Sequence, residues 1–571
     1  MDESIREVIL KHALANAVKY GGKASLKAVV SKVLGENPEL RKRAKEVVEL
    51  TRQVIEEVNS LSLEDQIKKL EQIWPEALVE KKKEEEKKLP PLPNADKYKE
   101  IVTRFAPNPD FILHLGSARP AILSYYYAKV MYKGRFILRF EDTDPKTKRP
   151  ILEAYDIIRD DLRWLKVKWD EEYIQSKRME IYYDHARKLI EMGKAYMCTH
   201  SREEIKYYRD KGLEDPCSKL PPEEHLERWE KMLSGEYGEG EAVLRIKTDP
   251  AHPNPSVRDW IAFRIIDTRK YPHPLVGDKY FAWPTYNFAC AVDDHLMGVT
   301  HILRGKEHAV NTLKQRYIYE YFGWKMPETI HFGRLNLEGM ILSKSVIRRG
   351  LEEGLYTDWS DIRLGTLQAL RRRGILPEAI WDLIMEVGVK PSTATVSVDK
   401  LHALNRKYLE PRANRYMFVP EPYVEARLEK APSPVRAEIM YHPSFPERGK
   451  RVIELSTPKL FVNLNDVKGL EEVRLIGLGN FKVTNREPLV LEYLNNSLDY
   501  AKEKKLQIIQ WAPVEDNFEV KVLKAEKMEI VEIRGVAEPE VSKLEKGTQV
   551  QFLRFGFVKA EDKGLFIFTH D

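Results

Sequence analysis

Apolar positions change their rhythm along this chain, and each change marks a different kind of element. At the start they recur at helical spacing: Ile5, Val8, Ile9 and Ala13, then Leu26, Val29, Val30 and Val33, then a longer series from Leu40 through Val47, Val54 and Val58. Ser62 followed by Asp65 reads as a capping box that opens another helix. Nothing in residues 1–88 carries recognisable chemistry, so this segment reads as a helical appendage. It ends in a solvated charge run, Glu80 to Lys88, followed by a stiff Pro-rich linker over residues 89–96.

The period then drops to two. Ile101-Val102-Thr103-Arg104-Phe105 alternates as a strand does, and Pro107-Asn108-Pro109 stops it in a turn. Ala118 to Tyr132, rich in Ala, Leu and Tyr, reads as a helix; Arg135 to Phe140 reads as a strand and Ile151 to Leu165 as a helix. That succession implies a parallel α/β sheet of Rossmann type, with its first half over residues 97–195. Short helices and strands, including Ala242 to Lys247, fill 196–279, and the α/β pattern resumes over 280–350. Residues 351–395 read as helical and contain Arg371-Arg372-Arg373, whose plain reading is a solvated helix face. From Val396 onward, short runs such as Lys459 to Val462, Glu472 to Ile476 and Gln549 to Leu553 predict β-barrels over 396–571.

Composition narrows the classes. At 571 residues the chain is too long for a single core. No run approaches the roughly 18–20 apolar residues of a membrane span. The amphipathic, acid-containing N-terminus reads as neither a signal nor a transit peptide, so a cytoplasmic location and no membrane partner are expected. Cys198, Cys217 and Cys290 cannot build a disulfide framework. The net charge of +5 comes from 94 basic and 89 acidic residues, so nucleic acid would need a segregated basic face.

Chemistry concentrates where the first strand meets its helix. His114-Leu115-Gly116-Ser117 falls at a helix N-terminus after a tight turn, a place that favours polyphosphate. Gly116 lets a ligand approach the backbone, and His114 offers a donor to departing phosphoryl oxygens. With the preceding R-F-A-P-N-P, this stretch resembles the HIGH motif of class I aminoacyl-tRNA synthetases, in their glutamyl/glutaminyl branch. Arg135 to Pro145 (RFILRFEDTDP) resembles that branch's second strand with its acidic end. Gly339 to Ser345 (GMILSKS) resembles the KMSKS loop, and all three segments occur in the family's order.

The resemblance implies a multidomain fold: a Rossmann-type catalytic domain with an inserted acceptor-end-binding domain, a helical stem-contact module, and two C-terminal anticodon-binding β-barrels of the archaeal type. It implies ATP-dependent attachment of L-glutamate to the 3′-terminal ribose of tRNA(Glu) through a glutamyl-adenylate, with Mg2+ accompanying ATP. It also implies charging of tRNA(Gln), with hand-over to a tRNA-dependent amidotransferase. Residue by residue, His114, Gly116, Ser117, Ser343 and Lys344 become the catalytic set, with Lys344 on a mobile loop against the departing pyrophosphate. Arg104, Ala106, Asn108, Glu141, Tyr286 and Arg304 become the amino acid site. There Glu141 would face the substrate ammonium, and Arg104, Tyr286 and Arg304 a side-chain carboxylate. His114, Gly116, Glu307, Leu342 and Lys344 would hold ATP.

Departures from the family pattern are Phe111 in place of Gly and Ile341 in place of the first Lys of KMSKS. Some relatives bind zinc near Cys198, His200, Cys217 and His225, but the irregular spacing here favours structural thiols and a surface histidine. The alternatives are a glutaminyl enzyme, a small nucleotidyltransferase sharing the HIGH motif, and a non-catalytic tRNA-binding homologue. Arg304, where glutaminyl relatives usually carry Cys, opposes the first; the β-rich region opposes the second; retention of His114 and Lys344 opposes the third.

Overall fold

The computed structural model describes residues 2–571 apart from 20, 21, 38, 39, 41, 42, 76 and 78–88, so the charge run Glu80 to Lys88 lies outside the described residues. Residues 1–90 form one compact unit and residues 91–571 another.

In the first unit the helical spacing becomes helices Asp2–Lys19, Leu26–Glu36, Ala44–Asn59 and Leu63–Ile73. Their apolar stripes meet in a core that includes Ile9, Ala13, Val33, Val54 and Val58. Ser62 opens the last helix, its Oγ accepting from the Asp65 N–H at 3.1 Å.

The second unit is built on parallel strands. β1 (Val102–Phe105), β2 (Arg135–Phe140) and β3 (Glu171–Ile174) pair in that order, and β1 and β2 are buried almost throughout, as a parallel sheet covered on both faces requires. β4 (Ala195–Cys198), β5 (Val243–Ile246), β6 (Ile261–Ile265) and β7 (Ala282–Pro284) form a separate antiparallel sheet. It packs through Trp229, Phe263 and Trp283. β8 (His301–Gly305) and β9 (Glu328–Phe332) return to parallel pairing. They form a two-stranded sheet of their own beside β1, where the Val102 N–H donates to Thr300 Oγ1 and the Thr300 N–H to the Val102 carbonyl, each at 2.9 Å.

Several expectations change. The helix after β1 runs Leu115–Tyr125, starting earlier than the pattern suggests because His114 caps it. It holds Pro120 internally and passes into a π-helical turn at Tyr126–Met131. The second half of the linker is not free: Leu92 is buried, its N–H donates to Tyr132 Oη at 2.9 Å, and His301 Nε2 lies 2.8 Å from the Pro93 carbonyl. An apolar side chain between prolines has found a place beside the parallel strands. Lys344 is the first residue of a helix, Lys344–Glu352, with Ser343 at its N-cap, rather than a loop residue.

The arginine run is only partly a solvated face: its exposure falls from Arg371 to the buried Arg373. Arg371 pairs with Asp160 at 2.6 Å, Arg372 with Glu561 at 2.9 Å, and Arg373 is buried with Nη2 3.4 Å from His402 Nε2. Each side chain reaches a different element, which makes the run a joint.

The β-rich texture begins at Asn414, not Val396. Val398–Leu409 is a helix, because Ser397 caps it and Leu401, Asn405 and Leu409 bury one face at helical spacing. Beyond it lie two seven-stranded sheets, and they do not follow one another along the chain. One takes its strands from 414–420 and again from 518–570; the other lies wholly within 423–513. The first sheet is started, left and resumed.

Candidate active site

His114 sits at the N-cap in extended backbone conformation, and its Nδ1 accepts the Gly116 N–H at 3.0 Å. Accepting at Nδ1 leaves the ring proton on Nε2. Burial, and then the charge of nearby Lys344, push the imidazole down to about 4, so it is neutral at physiological pH. It therefore presents an N–H donor to a cavity of about 740 Å³, lined also by Arg334, Leu342, Ser343 and Lys344. The roles of two neighbours differ from expectation. The Gly116 N–H is taken by His114 and is not offered to a ligand. Gly116 is needed because a Cβ there would lie 2.8 Å from His114 Cε1, so the ring could not fold over the helix start. Ser117 closes the capping box, accepting from the His114 N–H at 3.4 Å, and does not line the cavity.

Sequence reasoning missed the residue that joins the two signature segments. The Gly365 carbonyl accepts from Leu115 N–H at 3.1 Å, and its own N–H donates to the Ile341 carbonyl at 2.9 Å. A methyl at this position would overlap Leu342. Gly365→Ala is expected to lower turnover in pyrophosphate exchange by roughly 10–100-fold, as small misplacements of reacting groups do. KM for glutamate should stay constant, and unchanged turnover would show that the segments are set by other contacts.

On the other side of the cavity, Arg104 from β1 donates through Nε to Asp294 at 3.0 Å. Arg139 from β2 reaches the same Asp294 oxygen at 2.7 Å and Glu141 at 3.0 Å. Burial opposes ionisation of Asp294, but the two guanidiniums override it and hold its carboxyl well below the usual range. Burial pushes the Glu141 carboxyl up despite Arg139, so a further cation beside it would be favoured. Arg139 and Asp294 were not among the residues expected from sequence; the signal available was Arg139 on the same face of its strand as Glu141.

Arg304, at the end of β8, differs from its neighbours. It is 5% exposed and donates to Tyr286 Oη at 3.2 Å, Thr312 Oγ1 at 2.7 Å and Gln315 Oε1 at 3.0 Å. No carboxylate pairs with it among the described residues, and its Nε lacks any partner there. In this cluster Arg104, Arg139 and Arg304 face Asp294 and Glu141, which leaves one buried positive charge. Of the arginines expected to meet a substrate carboxylate, Arg104 is already paired with Asp294 and Arg304 is not.

A second cavity of about 750 Å³ shares Ala106, Glu141, Tyr286 and His308 with the first and reaches Arg209, Arg258 and Lys314. Asn108 lines it, while Arg104, Arg304, Glu307, Leu342, Ser343 and Lys344 line the first.

Away from these cavities, Cys198, His200, Asp215 and Cys217 place one donor atom each within 4.8 Å of the others. Asp215 was not foreseen, and His225 does not join. It is neither a ligand here nor a surface residue, being 3% exposed with Nδ1 accepting the Met197 N–H at 3.2 Å. Two thiols, an imidazole and a carboxylate suit a tetrahedral cation such as zinc. The same atoms also satisfy one another, with Cys198 Sγ donating to Asp215 at 3.4 Å.

A family model described as the catalytic domain of tRNA synthetases class I (E and Q) matches residues 100–411. The chain belongs to that family. Two models for the anticodon-binding domain of these synthetases match residues 413–495 and 508–561, within the region of the two large sheets. Similar proteins include the glutamate–tRNA ligase of Thermofilum pendens, 66% identical across all of both chains, and that of Pyrobaculum calidifontis, 53% identical across all of both. The glutamate–tRNA ligase of Pyrococcus furiosus is 52% identical over 99% of this chain and all of its own. No helix among the described residues is long and apolar enough to cross a membrane.

Proposed function

We propose that the chain is a glutamate–tRNA ligase: it joins L-glutamate to ATP as glutamyl-adenylate and passes the acyl group to the 3′-terminal ribose of tRNA(Glu). The observation that carries this reading is the unpaired, buried Arg304. A substrate side-chain carboxylate would complete its fork, whereas glutamine's neutral amide would leave the charge uncompensated, which is costly in a dry site. Glutamate's own net charge of minus one also balances the surplus positive charge of the cluster.

In the first step the glutamate α-carboxylate attacks the α-phosphorus of ATP, the new O–P bond forms, and pyrophosphate leaves. Glu141 would hold the ammonium and Arg304 the side-chain carboxylate, which fixes the attacking oxygen. His114 Nε2–H and the Lys344 ammonium, both lining the same cavity, would follow charge onto the phosphoryl oxygens. Magnesium would accompany ATP, bound chiefly by phosphates and water. In the second step a hydroxyl of the terminal ribose attacks the acyl carbon and AMP leaves. Arg209, Arg258 and Lys314 lie where the end of a polyanion could enter beside Tyr286. Pyrophosphate exchange with tRNA present tests the reading: glutamate should support it and glutamine should not, and the reverse would overturn it.

The archaeal type of the barrel region supports a finer reading, in which tRNA(Gln) is charged with glutamate as well and handed to an amidotransferase. The two anticodon families differ at their third base, C against G, and rejecting one requires a contact to that base's edge. Transcripts of both tRNAs are expected to accept glutamate. Transfer to tRNA(Glu) alone would end the dual-charging claim and leave the ligase standing.

A further inference from the structure

We propose that Asp110 is a positioning residue for adenylate formation, whose carboxylate aims the Lys344 ammonium at the phosphates from the same turn that presents His114. The inference rests on the reading of Lys344 as a phosphate-binding lysine.

Asp110 is fixed independently of the lysine. Its N–H donates to Asn108 Oδ1 at 2.9 Å, and its carbonyl accepts from Arg348 Nη2 at 2.7 Å. With the backbone held, the side chain is only 10% exposed and accepts from Lys344 Nζ at 2.9 Å. The lysine is the mobile partner, 44% exposed on a long aliphatic stem. Restricting such a side chain costs rotamer entropy, so an anchored carboxylate that collects it beforehand spares the reaction that cost.

A carboxylate beside a triphosphate site looks counterproductive, but two observations remove the objection. Arg348 Nη2 also lies 3.8 Å from the Asp110 carboxylate, so one anion sits between two cations and the group keeps a net positive charge. An ammonium carries three donors, and the bond to Asp110 leaves two for phosphoryl oxygens. Lys344 lines the cavity while Asp110 stands just behind the lining. Lys344 is near enough to His114 to help depress its basicity, so the two donors face one region. Phe111, the departure from glycine, lies with its ring centroid 5.7 Å from Lys344 Nζ and packs edge-on against Trp359. From sequence alone Asp110 reads only as a turn residue after Pro109.

The test is pyrophosphate exchange at saturating tRNA with Asp110→Asn, which keeps shape and an acceptor but drops the charge. Turnover should fall about tenfold with KM for glutamate unchanged, and Asp110→Glu should recover part of it. In a Lys344→Ala background, Asp110→Asn should have no further effect. A full-strength effect in that background would mean that Asp110 only maintains the turn, and would overturn the inference. So would neutral kinetics, or a lower KM for ATP with raised turnover, which would make the carboxylate a competitor. Lys344→Ala alone tests the underlying reading: if it is fully active, both fall; if it is impaired while Asp110→Asn is neutral, only the inference falls.

Discussion

Arg304→Cys should lower kcat/KM for glutamate by two to four orders of magnitude. The substrate carboxylate would enter a buried site whose matching charge is gone, and leaving one partner of a buried pair alone costs about 3–5 kcal/mol, with each 1.36 kcal/mol worth roughly tenfold. KM for ATP and for tRNA should change little, because among the described residues the partners of Arg304 are Tyr286, Thr312 and Gln315. The variant also removes the unpaired charge that penalises an amide, so glutamine should gain some activity. Aminoacylation kinetics with both amino acids decide the matter. If glutamate kinetics are unchanged, the carboxylate must bind elsewhere, and Arg104 would have to be released from Asp294 to receive it.

Lys344→Ala should reduce turnover in pyrophosphate exchange by about 100–1,000-fold, the usual loss when one preorganised donor to a developing charge is removed. Affinity for tRNA should remain, since this lysine touches Asp110 and the phosphate cavity. The chain should stay folded, because Lys344 is the exposed first residue of its helix. Filter binding beside single-turnover kinetics separates the possibilities. Weakened tRNA binding with normal turnover would remove Lys344 from the chemistry.

What could be read in the sequence was whatever a short window encodes. Ile101 to Phe105 and Arg135 to Phe140 carry their own strand pattern, and His114, Glu141 and Lys344 carry recognisable spacing; the structure brings all three to the cavities. What escaped depends on distant partners. Asp294 matters because Arg104, 190 positions away, and Arg139 both bind it. Gly365 matters through two backbone bonds to segments that both precede it, one by 250 positions and one by 24. Asp215 completes the thiol cluster from the far side of a helix, where no spacing rule from Cys198 and His200 would look. The Val398–Leu409 helix was missed because the β-rich stretches around it set the expectation for the whole segment.

The resumed sheet has a consequence for how the polypeptide is made. Asn414–Tyr416 pairs with Val550–Phe552, and Phe418–Pro420 with Gly535–Ala537. On the ribosome those two early strands emerge with no mates, and residues 421–534 must follow before the first of them appears. At roughly 5–20 residues per second that delay is on the order of 5–20 s. The intervening sheet, whose strands all lie within 423–513, has every partner in hand and can close during the wait. A nascent chain that stalls or is clipped before residue 535 would thus leave a finished module beside two strands without mates, open to any other strand that passes.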